Sequence, residues 1–277
     1  MTHLKADLHV HTWYSDGGQT PTEAVLWAQE AGLGALAITD HDCMLGIPEA
    51  QAVCDQAGIR LAQGCEVSAY EGDVKLHTLA YNCDMSLFRP FMDTLKDNSV
   101  KRTEAILAKL DRIGVHIPIQ EPMAERWSQE QPIHGMHIAR AGVKRGYAPD
   151  PYAFFGQYLN YGCPGYVTDF RPSPEETVQA VHDARGFSVV AHPGRVDMTD
   201  AELYALLTRL KSLGLEGLEV HYSTHTPEQT AKYAAMAKEL GLICTGGSDT
   251  HLRGRSRSVG KPDFWIDDML AAKLGIL

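Results

Sequence analysis

The sequence predicts an α/β fold in which strands and helices alternate along the chain and one long segment interrupts the alternation. Two short runs, the continuously apolar 35–38 (ALAI) and the mostly apolar 187–191 (FSVVA), are typical of strands covered on both faces in a parallel sheet. Apolar residues at helical spacing lie between such runs. A histidine, aspartate or glutamate accompanies almost every predicted strand end, and this regularity favours a functional site along one edge of the sheet.

Length and composition are those of an ordinary globular protein. The 277 residues suffice for one large domain, or one domain with an insertion, and 44% of them are hydrophobic and 22% charged. The formal net charge of −10 argues against long duplex nucleic acid and anionic membranes as partners, whereas a metal cluster would still admit a small phosphorylated substrate. We expect neither a membrane span nor a signal peptide, since no apolar run approaches the ~18 residues of a span.

The first predicted strand, residues 7–11 (DLHVH), carries the most informative pattern. Successive side chains of a strand point to opposite faces, so we expect Asp7, His9 and His11 on one face. Leu8 and Val10 then share the apolar face. Two imidazoles and a carboxylate at close quarters are a ligand set for zinc, manganese or iron. Taken alone, the pattern fits a polar surface strand at least as well.

Caps, apolar spacing and glycine stops predict the remaining elements. Thr20 or Thr22 can cap the first helix, with Pro21 in its first turn, and Gly32 and Gly34 end it. Glu175 and Glu176 lie in the first turn of a later helix, where they complement its dipole. We expect helices at 20–32, 47–57, 174–185, 201–213 and 227–240, strands at 35–38, 59–68, 74–81, 187–191, 218–222 and 242–245, and a last helix over 264–277.

Residues 87–170 break the alternation. Helical spacing runs from about 87 to 110, and a further helix over 134–146 carries His137 and Arg140 on one face. The stretch 149–166 is rich in aromatic residues and prolines. We therefore predict that 1–86 and 171–277 form the main domain, and that 87–170 are an inserted, mostly helical cap.

Nine potential metal ligands accompany the predicted strands. In a parallel β/α array closed into a barrel, the carboxyl ends of the strands share one face, where functional sites are built. The nine are His9, His11, Asp16, His41, Glu66, His77, His192, Asp249 and His251. A position in the core explains each histidine alone as well as a metal does, but six histidines at five strand ends together indicate a metal site.

These motifs resemble those of the PHP (polymerase and histidinol phosphatase) superfamily over essentially the full length. The matching segments are 7–11 (DLHVH), 39–41 (TDH), the segment around Glu66, 192–194 (HPG) and 248–251 (SDTH). Further segments are similar to its branch of metal-dependent phosphoesterases, namely 15–17 (SDG), 137–140 (HIAR), 164–167 (PGYV) and 219–225 (EVHYSTH). In the last of these, His221 and Tyr222 replace smaller residues of the family pattern.

The resemblance implies a distorted (β/α)7 barrel with an inserted helical cap and two or three divalent ions, manganese first and iron or zinc as alternatives. Carried over residue by residue, it implies three ligand sets. His9, His11, Glu66 and Asp249 hold one ion, Asp16, His41 and His251 a second, and His77 and His192 a third, with Glu66 bridging.

The predicted chemistry is the hydrolysis of a phosphate ester. A phosphate dianion repels hydroxide, so the site must neutralise it and supply a nucleophile at neutral pH, which divalent ions do by activating water. Arg140 and Arg195 are the predicted phosphate clamps, because a guanidinium matches phosphate oxygens bidentately. Ser223 and His225 are predicted to hydrogen-bond the same group, and His225 is a candidate proton donor to the leaving oxygen.

Four arginines have weaker assignments than Arg195. Arg140 fits a surface position on its helix equally well. Arg253, Arg255 and Arg257 are expected on a solvated loop, from which one could contact a second phosphate.

We therefore predict a cytoplasmic, metal-dependent phosphoesterase, consistent with six cysteines that include no C-x-x-C pair. Its expected substrate is a 3′,5′-nucleoside bisphosphate or a short 5′-phosphorylated oligonucleotide. The branch of the family implies this substrate class, and the oligomeric state is not predicted. The alternatives are a phosphatase of a small metabolite such as histidinol phosphate, and a non-catalytic metal-binding module.

Overall fold

A computed structural model of the chain describes residues 3–254 and 257–277. The chain divides into two compact units, one formed by Met1–Phe91 with Pro172–Leu277 and the other by Met92–Arg171. The first unit is a mixed α/β structure, and the second is helical. Within the described residues, no helix combines the length and the apolar character needed to cross a bilayer.

The first unit is built on a curled sheet of eight strands. They are β1 (Leu4–Val10), β2 (Ala35–Ile38), β3 (Arg60–Glu71), β4 (Val74–Tyr81), β5 (Phe187–Val190), β6 (Gly217–Tyr222), β7 (Ile243–Gly247) and β8 (Trp265–Ile266). Their order across the sheet is β7-β6-β5-β4-β3-β2-β1-β8. The α/β prediction is confirmed at this level, and the (β/α)7 barrel remains a prediction.

The strand directions differ from a purely parallel array. The pairs β1–β2, β2–β3, β5–β6 and β6–β7 are parallel, whereas β4 is antiparallel to both of its neighbours. Two backbone hydrogen bonds also join the end of β1 to the segment after β7, from His11 N to Thr250 O (3.0 Å) and from Asp249 N to His9 O (2.7 Å). The carboxyl ends of the outermost parallel strands are therefore held side by side.

Ten helices accompany these strands within the described residues. They are α1 (Pro21–Glu30), α2 (Ile47–Ala57), α3 (Met85–Asp111), α4 (Gln120–Ala124), α5 (Gly135–Lys144), α6 (Pro151–Phe154), α7 (Pro174–Asp183), α8 (Asp200–Ser212), α9 (Pro227–Leu240) and α10 (Asp268–Lys273). Helices α1, α7, α8 and α9 each begin with a capping box. In α1, Thr20 Oγ1 accepts the Glu23 N–H (3.0 Å) and Glu23 Oε2 accepts the Thr20 N–H (2.8 Å). Such boxes satisfy N–H groups that a helix start leaves unpaired, and so fix where each helix begins.

The first strand departs from the predicted alternation. Leu8 packs with Ala6 in one apolar cluster, whereas Val10 packs in another cluster with side chains of α1 and α2. The prediction that Leu8 and Val10 share a face is therefore wrong. The cause is a shift of register in the β1–β2 pair between Asp7 and Val10, which redirects the side chains that follow it.

The C-terminal segment also differs from the sequence prediction. A helix was expected within 264–277, but the short strand β8 first pairs antiparallel with β1, Leu4 opposite Ile266. Only the six residues of α10 are helical. A pattern of two residues is too short to predict a strand from the sequence. Residues 265–266 form a strand because they pair with β1.

The second unit has its own apolar core. Ile106 and Leu110 of α3, Ile138 of α5 and Phe154 of α6 are buried together. Residues 155–159 continue α6 as a π-helical turn. The domain boundaries 1–86, 87–170 and 171–277, and the function of the second unit as a cap, remain predictions.

We predict that Gly142→Ala destabilises this core although alanine favours helices. A Cβ atom at Gly142 would overlap the buried ring of Phe154, with no room for the ring to retreat. Overpacking of this kind costs about 1–3 kcal/mol in free energy of unfolding. Urea denaturation measures the effect, with Gly156→Ala as the matched control because open space surrounds Gly156. An equal midpoint for both variants would contradict the packing described.

Candidate metal centre

The nine predicted ligands lie in one cluster at an edge of the sheet. His9 lies in β1, Glu66 in β3 and His77 in β4, while His11, Asp16, His41, His192, Asp249 and His251 lie in the segments after β1, β2, β5 and β7. The prediction of a ligand at the end of each strand is wrong for His77. It lies in the middle of β4, as Glu66 does in β3, and it reaches the cluster because the antiparallel pairing sets it opposite Ser68 in β3.

Three overlapping groups of side chains have the geometry of a metal site. In each group, one potential ligand atom of every member lies within 4.8 Å of the others. The groups are His9, His11, Glu66 and Asp249; His11, Asp16, His41 and His251; and His41, Glu66 and His77. His192 adjoins the third group, since its Nε2 lies 2.9 Å from Glu66 Oε1.

Glu66 is the centre of the cluster. It is 1% exposed, and its Oε2 lies 3.1 Å from His11 Nε2 and 3.3 Å from His9 Nε2. Oε1 lies 2.7 Å from His77 Nδ1 and 2.9 Å from His192 Nε2. A glutamate whose two oxygens face different sets of imidazoles has the arrangement needed to bridge two ions.

Unsatisfied buried atoms show that the site fits cations. Among the described residues, no hydrogen bond of acceptable geometry reaches Glu66 Oε2 or Asp16 Oδ1, although both atoms are buried. Buried carboxylate oxygens that accept no hydrogen bond are costly, and a bound cation would compensate for both atoms. Imidazole nitrogens with carboxylate oxygens are the donors that manganese, iron and zinc accept.

In two of the rings, a hydrogen bond made by Nδ1 determines that Nε2 faces the cluster. Glu219 Oε1 lies 3.0 Å from His9 Nδ1, so this nitrogen is the donor and Nε2 presents its lone pair inward. His251 Nδ1 likewise donates to the carbonyl oxygen of Asp249 (2.9 Å), which turns Nε2 towards Asp16 Oδ1 at 3.1 Å. A lone pair and a carboxylate oxygen this close repel each other, so a proton or a metal ion must lie between them.

Charges in the cluster are strongly coupled. Burial alone raises the pKa of Glu66, but the surrounding imidazoles, His77 and His9 foremost, outweigh it and hold the pKa well below its usual range. Burial lowers the pKa of His11, yet Asp249 and Glu66 outweigh it and raise this pKa to about 10. For His41 burial prevails and lowers the pKa to about 4. Without a metal, protons therefore supply part of the positive charge that the carboxylates require.

Three buried carboxylates hold the cluster from outside: Asp7, which was predicted to share the ligand face of the first strand but belongs to none of the three groups, and Asp40 and Glu219, for which no role was predicted. Asp7 accepts backbone N–H groups of Ser248 (2.8 Å) and Gly260 (2.8 Å). Asp40 accepts the backbone N–H (2.7 Å) and the hydroxyl (2.6 Å) of Thr12, at the start of the loop that carries Asp16. Burial raises the pKa of both Asp7 and Asp40 despite these bonds.

The third of them is Glu219 in β6. Besides facing His9, it accepts the backbone N–H of His192 through Oε2 (2.8 Å). One side chain thus orients a ring from β1 and fixes the backbone after β5. A glutamate within the buried run LEV at 218–220 was the available signal, because a buried charge in a strand needs partners.

Two of the predicted ligands have strained backbones. His192 has φ +29° and Asp249 has φ +54°, in the region that favours glycine. Strain of about 1–3 kcal/mol per residue persists only where the surroundings impose it. Here two hydrogen bonds hold the backbone in these conformations, from the His192 N–H to Glu219 and from the Asp249 N–H to the carbonyl oxygen of His9.

The outer oxygen of Asp249 collects three donors. Tyr222 Oη donates to Oδ2 (2.6 Å), Arg195 Nη1 lies 3.2 Å from the same atom, and Arg257 Nη1 donates to it as well. Arg257 also bonds the main-chain oxygen of Asp249 (3.1 Å). The expectation of a solvated loop is therefore wrong for Arg257, while Arg253 does lie exposed against Glu30.

The other predicted residues have different surroundings. Arg255 lies outside the described residues. Arg140 lies in α5 of the second unit. Ser223 directly follows β6, and its buried hydroxyl has no hydrogen-bond partner among the described residues. His225 is half-buried, and burial lowers its pKa, so its ring is neutral near pH 7. The roles assigned to these residues remain predictions.

Comparison with known proteins gives concordant results. A model of the PHP domain family matches residues 7–117. The chain is 33% identical to the 3′,5′-nucleoside bisphosphate phosphatase of Chromobacterium violaceum, over 92% of this chain and 90% of that protein. It is 32% identical to a 5′-3′ exoribonuclease of Haemophilus influenzae, over 96% and 97% respectively. A crystal structure from Bifidobacterium adolescentis, provisionally described as a metal-dependent phosphoesterase, is similar with TM-score 0.83 and 30% identity, covering 98% of this chain and 96% of that one.

We predict that Glu219→Gln weakens metal binding about 10- to 100-fold, because it removes the charge that orients His9 and one acceptor for the His192 N–H. Manganese titration followed by calorimetry measures the affinity. Glu216→Gln is the matched control, since that glutamate pairs with Lys273 at the surface. Unchanged affinity in Glu219→Gln would remove Glu219 from the support of the site.

We also predict that manganese binding at pH 7 releases at least one proton per chain. Acidic neighbours raise the pKa of His9 and His11 in the metal-free protein, so a bound ion must displace protons from them. Metal affinity should therefore fall as the pH is lowered. Calorimetry in two buffers of different ionisation enthalpy counts the protons, and a count of zero would contradict the charge coupling described.

Proposed function

Because this chain belongs to the PHP domain family, we propose that it is a metal-dependent hydrolase of phosphoric esters that acts on a phosphorylated nucleotide. The observation that carries the proposal is the cluster around Glu66, in which nine ligand-type side chains converge at one edge of the sheet. A site that binds two or three cations side by side suits a substrate with several negative oxygens.

Two of the relatives support a nucleotide as the substrate. Two proteins that match nearly the whole chain are named for a nucleoside bisphosphate and for RNA. We therefore propose as substrate a 3′,5′-nucleoside bisphosphate or a short 5′-phosphorylated oligonucleotide. Small phosphorylated metabolites are the alternative to be tested against it.

The proposed ligand sets overlap with the observed groups, although the second observed group also includes His11 and the third has His41 in place of His192. His9, His11, Glu66 and Asp249 hold one ion, Asp16, His41 and His251 a second, and His77, His192 and Glu66 a third. Manganese is the first choice, with iron or zinc as alternatives, because such donor sets bind all three. Bound ions would neutralise the phosphate and activate a water as nucleophile.

The polar groups beside the cluster are suited to hold the phosphate. Arg195 uses only Nη1 within the described residues, so its remaining N–H groups are available to a phosphate oxygen. Tyr222 stays protonated, since burial raises its pKa and Asp249 adds to the effect, and it keeps Asp249 oriented. We propose Arg140 and Ser223 as further phosphate contacts, and the second unit as the cap that selects the nucleotide.

We predict that manganese-loaded protein hydrolyses adenosine 3′,5′-bisphosphate or a short 5′-phosphorylated RNA much faster than histidinol phosphate. Malachite green measures the phosphate released, and chromatography measures the mononucleotides released from the RNA. A chelator should abolish both because the carboxylates and imidazoles alone supply no activated water. His9→Ala is the control for contaminating phosphatases. Preference for histidinol phosphate would indicate a small phosphorylated metabolite as the substrate. No product from any substrate with metal-loaded protein would refute the proposed function.

A further inference from the structure

The turn after β5 carries two residues of the site. Side chains from β6 and from the loop after it hold this turn in place. Residues Pro193–Arg195 form a single 3-10 turn that begins at His192, with its strained backbone. His192 Nε2 faces Glu66, and Arg195 Nη1 faces Asp249. A small shift of this turn would therefore displace both a proposed metal ligand and a proposed phosphate contact.

The side chain of His225, in the loop after β6, forms a hydrogen bond with the backbone of this turn. Its Nδ1 lies 2.9 Å from the carbonyl oxygen of Val220, an acceptor only, so Nδ1 carries the proton. Its Nε2 then accepts the backbone N–H of Gly194 at 3.2 Å. In a neutral ring this leaves no N–H for the leaving oxygen of a substrate.

Two tyrosine rings and a glycine flank the ring of His225. It lies 5.1 Å from the ring of Tyr222 and 4.9 Å from that of Tyr233. Gly194 faces it closely, because a Cβ atom there would lie 2.8 Å from His225 Cδ2 and 2.9 Å from Nε2. The chain thus has glycine where the ring needs to approach the backbone.

We propose that His225 is a positioning residue, which holds the 192–195 turn through Gly194, and that it is not the proton donor to the leaving group. Glu219 holds the same turn one step earlier, at the His192 N–H. The two bonds act together on a strained turn, since each fixes a backbone N–H that precedes or follows Pro193. The consequence for catalysis rests on the proposed function, whereas the consequence for metal binding does not.

The test compares His225→Ala, His225→Gln and Gly194→Ala with the unmodified protein. Glutamine keeps an acceptor for the Gly194 N–H but cannot donate a proton as an acid. The measurements are manganese content after loading and gel filtration, and kcat and KM for adenosine 3′,5′-bisphosphate and for p-nitrophenyl phosphate. The aryl ester has a leaving group that needs no proton, so a missing general acid affects only the nucleotide. His116→Gln is the control, because His116 is an exposed surface residue of the second unit.

We expect His225→Ala and Gly194→Ala to lose manganese affinity about tenfold and to lose activity on both substrates by similar factors, and His225→Gln to recover most of both. Full manganese content in His225→Ala, with activity lost only on the nucleotide and no recovery in His225→Gln, would overturn the proposal in favour of general acid catalysis. Should the unmodified protein hydrolyse neither substrate, the proposed function fails, and manganese content alone then decides the role of His225. Circular dichroism of His225→Ala and Gly194→Ala tests whether a loss of folding is the cause.

Discussion

One buried carboxylate surrounded by imidazoles is the interaction on which the rest of the structure depends. Glu66 is 1% exposed, and ring nitrogens lie 2.7–3.3 Å from its oxygens. A buried charge of this kind is stable only beside compensating cations. Five rings approach it from four different strands or their ends, so no single segment can form the site. The rings are those of His9, His11, His41, His77 and His192.

A second set of carboxylates ties neighbouring strands together at the edge of the sheet and so forms a frame around the site. Asp7, Asp40 and Glu219 accept backbone N–H groups of the segments that follow other strands, so each ties two strand ends together. Their bonds are short and buried, and main-chain donors cannot rotate away as side chains do. The strained backbones of His192 and Asp249 persist because this frame imposes them. The ring positions are thus fixed before any ion binds.

The sequence predicted the seven longer strands and the nine converging side chains, because both leave local signals. Apolar runs and glycine stops mark the strands, and histidines are too rare for six to collect at strand ends without a reason. Arg257 was assigned wrongly, since its contact with Asp249 depends on how the chain returns after β7. Strand β8 was missed for the same reason. Glu219 left a signal, a charge in a buried run, but its partners come from β1 and from the end of β5.

The least predictable parts of the site arise from irregular strand pairing. In β6, Leu218 and Val220 pack in the apolar cluster with α8 and α9, and strict alternation would send Tyr222 to the same side. Yet Tyr222 donates to Asp249, because the register of the β6–β7 pair shifts between Glu219 and His221. The shift in β1 has the same effect on the side chains after Asp7. Extra residues of this kind re-aim side chains next to functional sites, and they depend on the partner strand, which a single sequence does not reveal. The residues His221 and Tyr222, which depart from the family pattern, therefore belong to the support of Asp249 and to packing against Phe264.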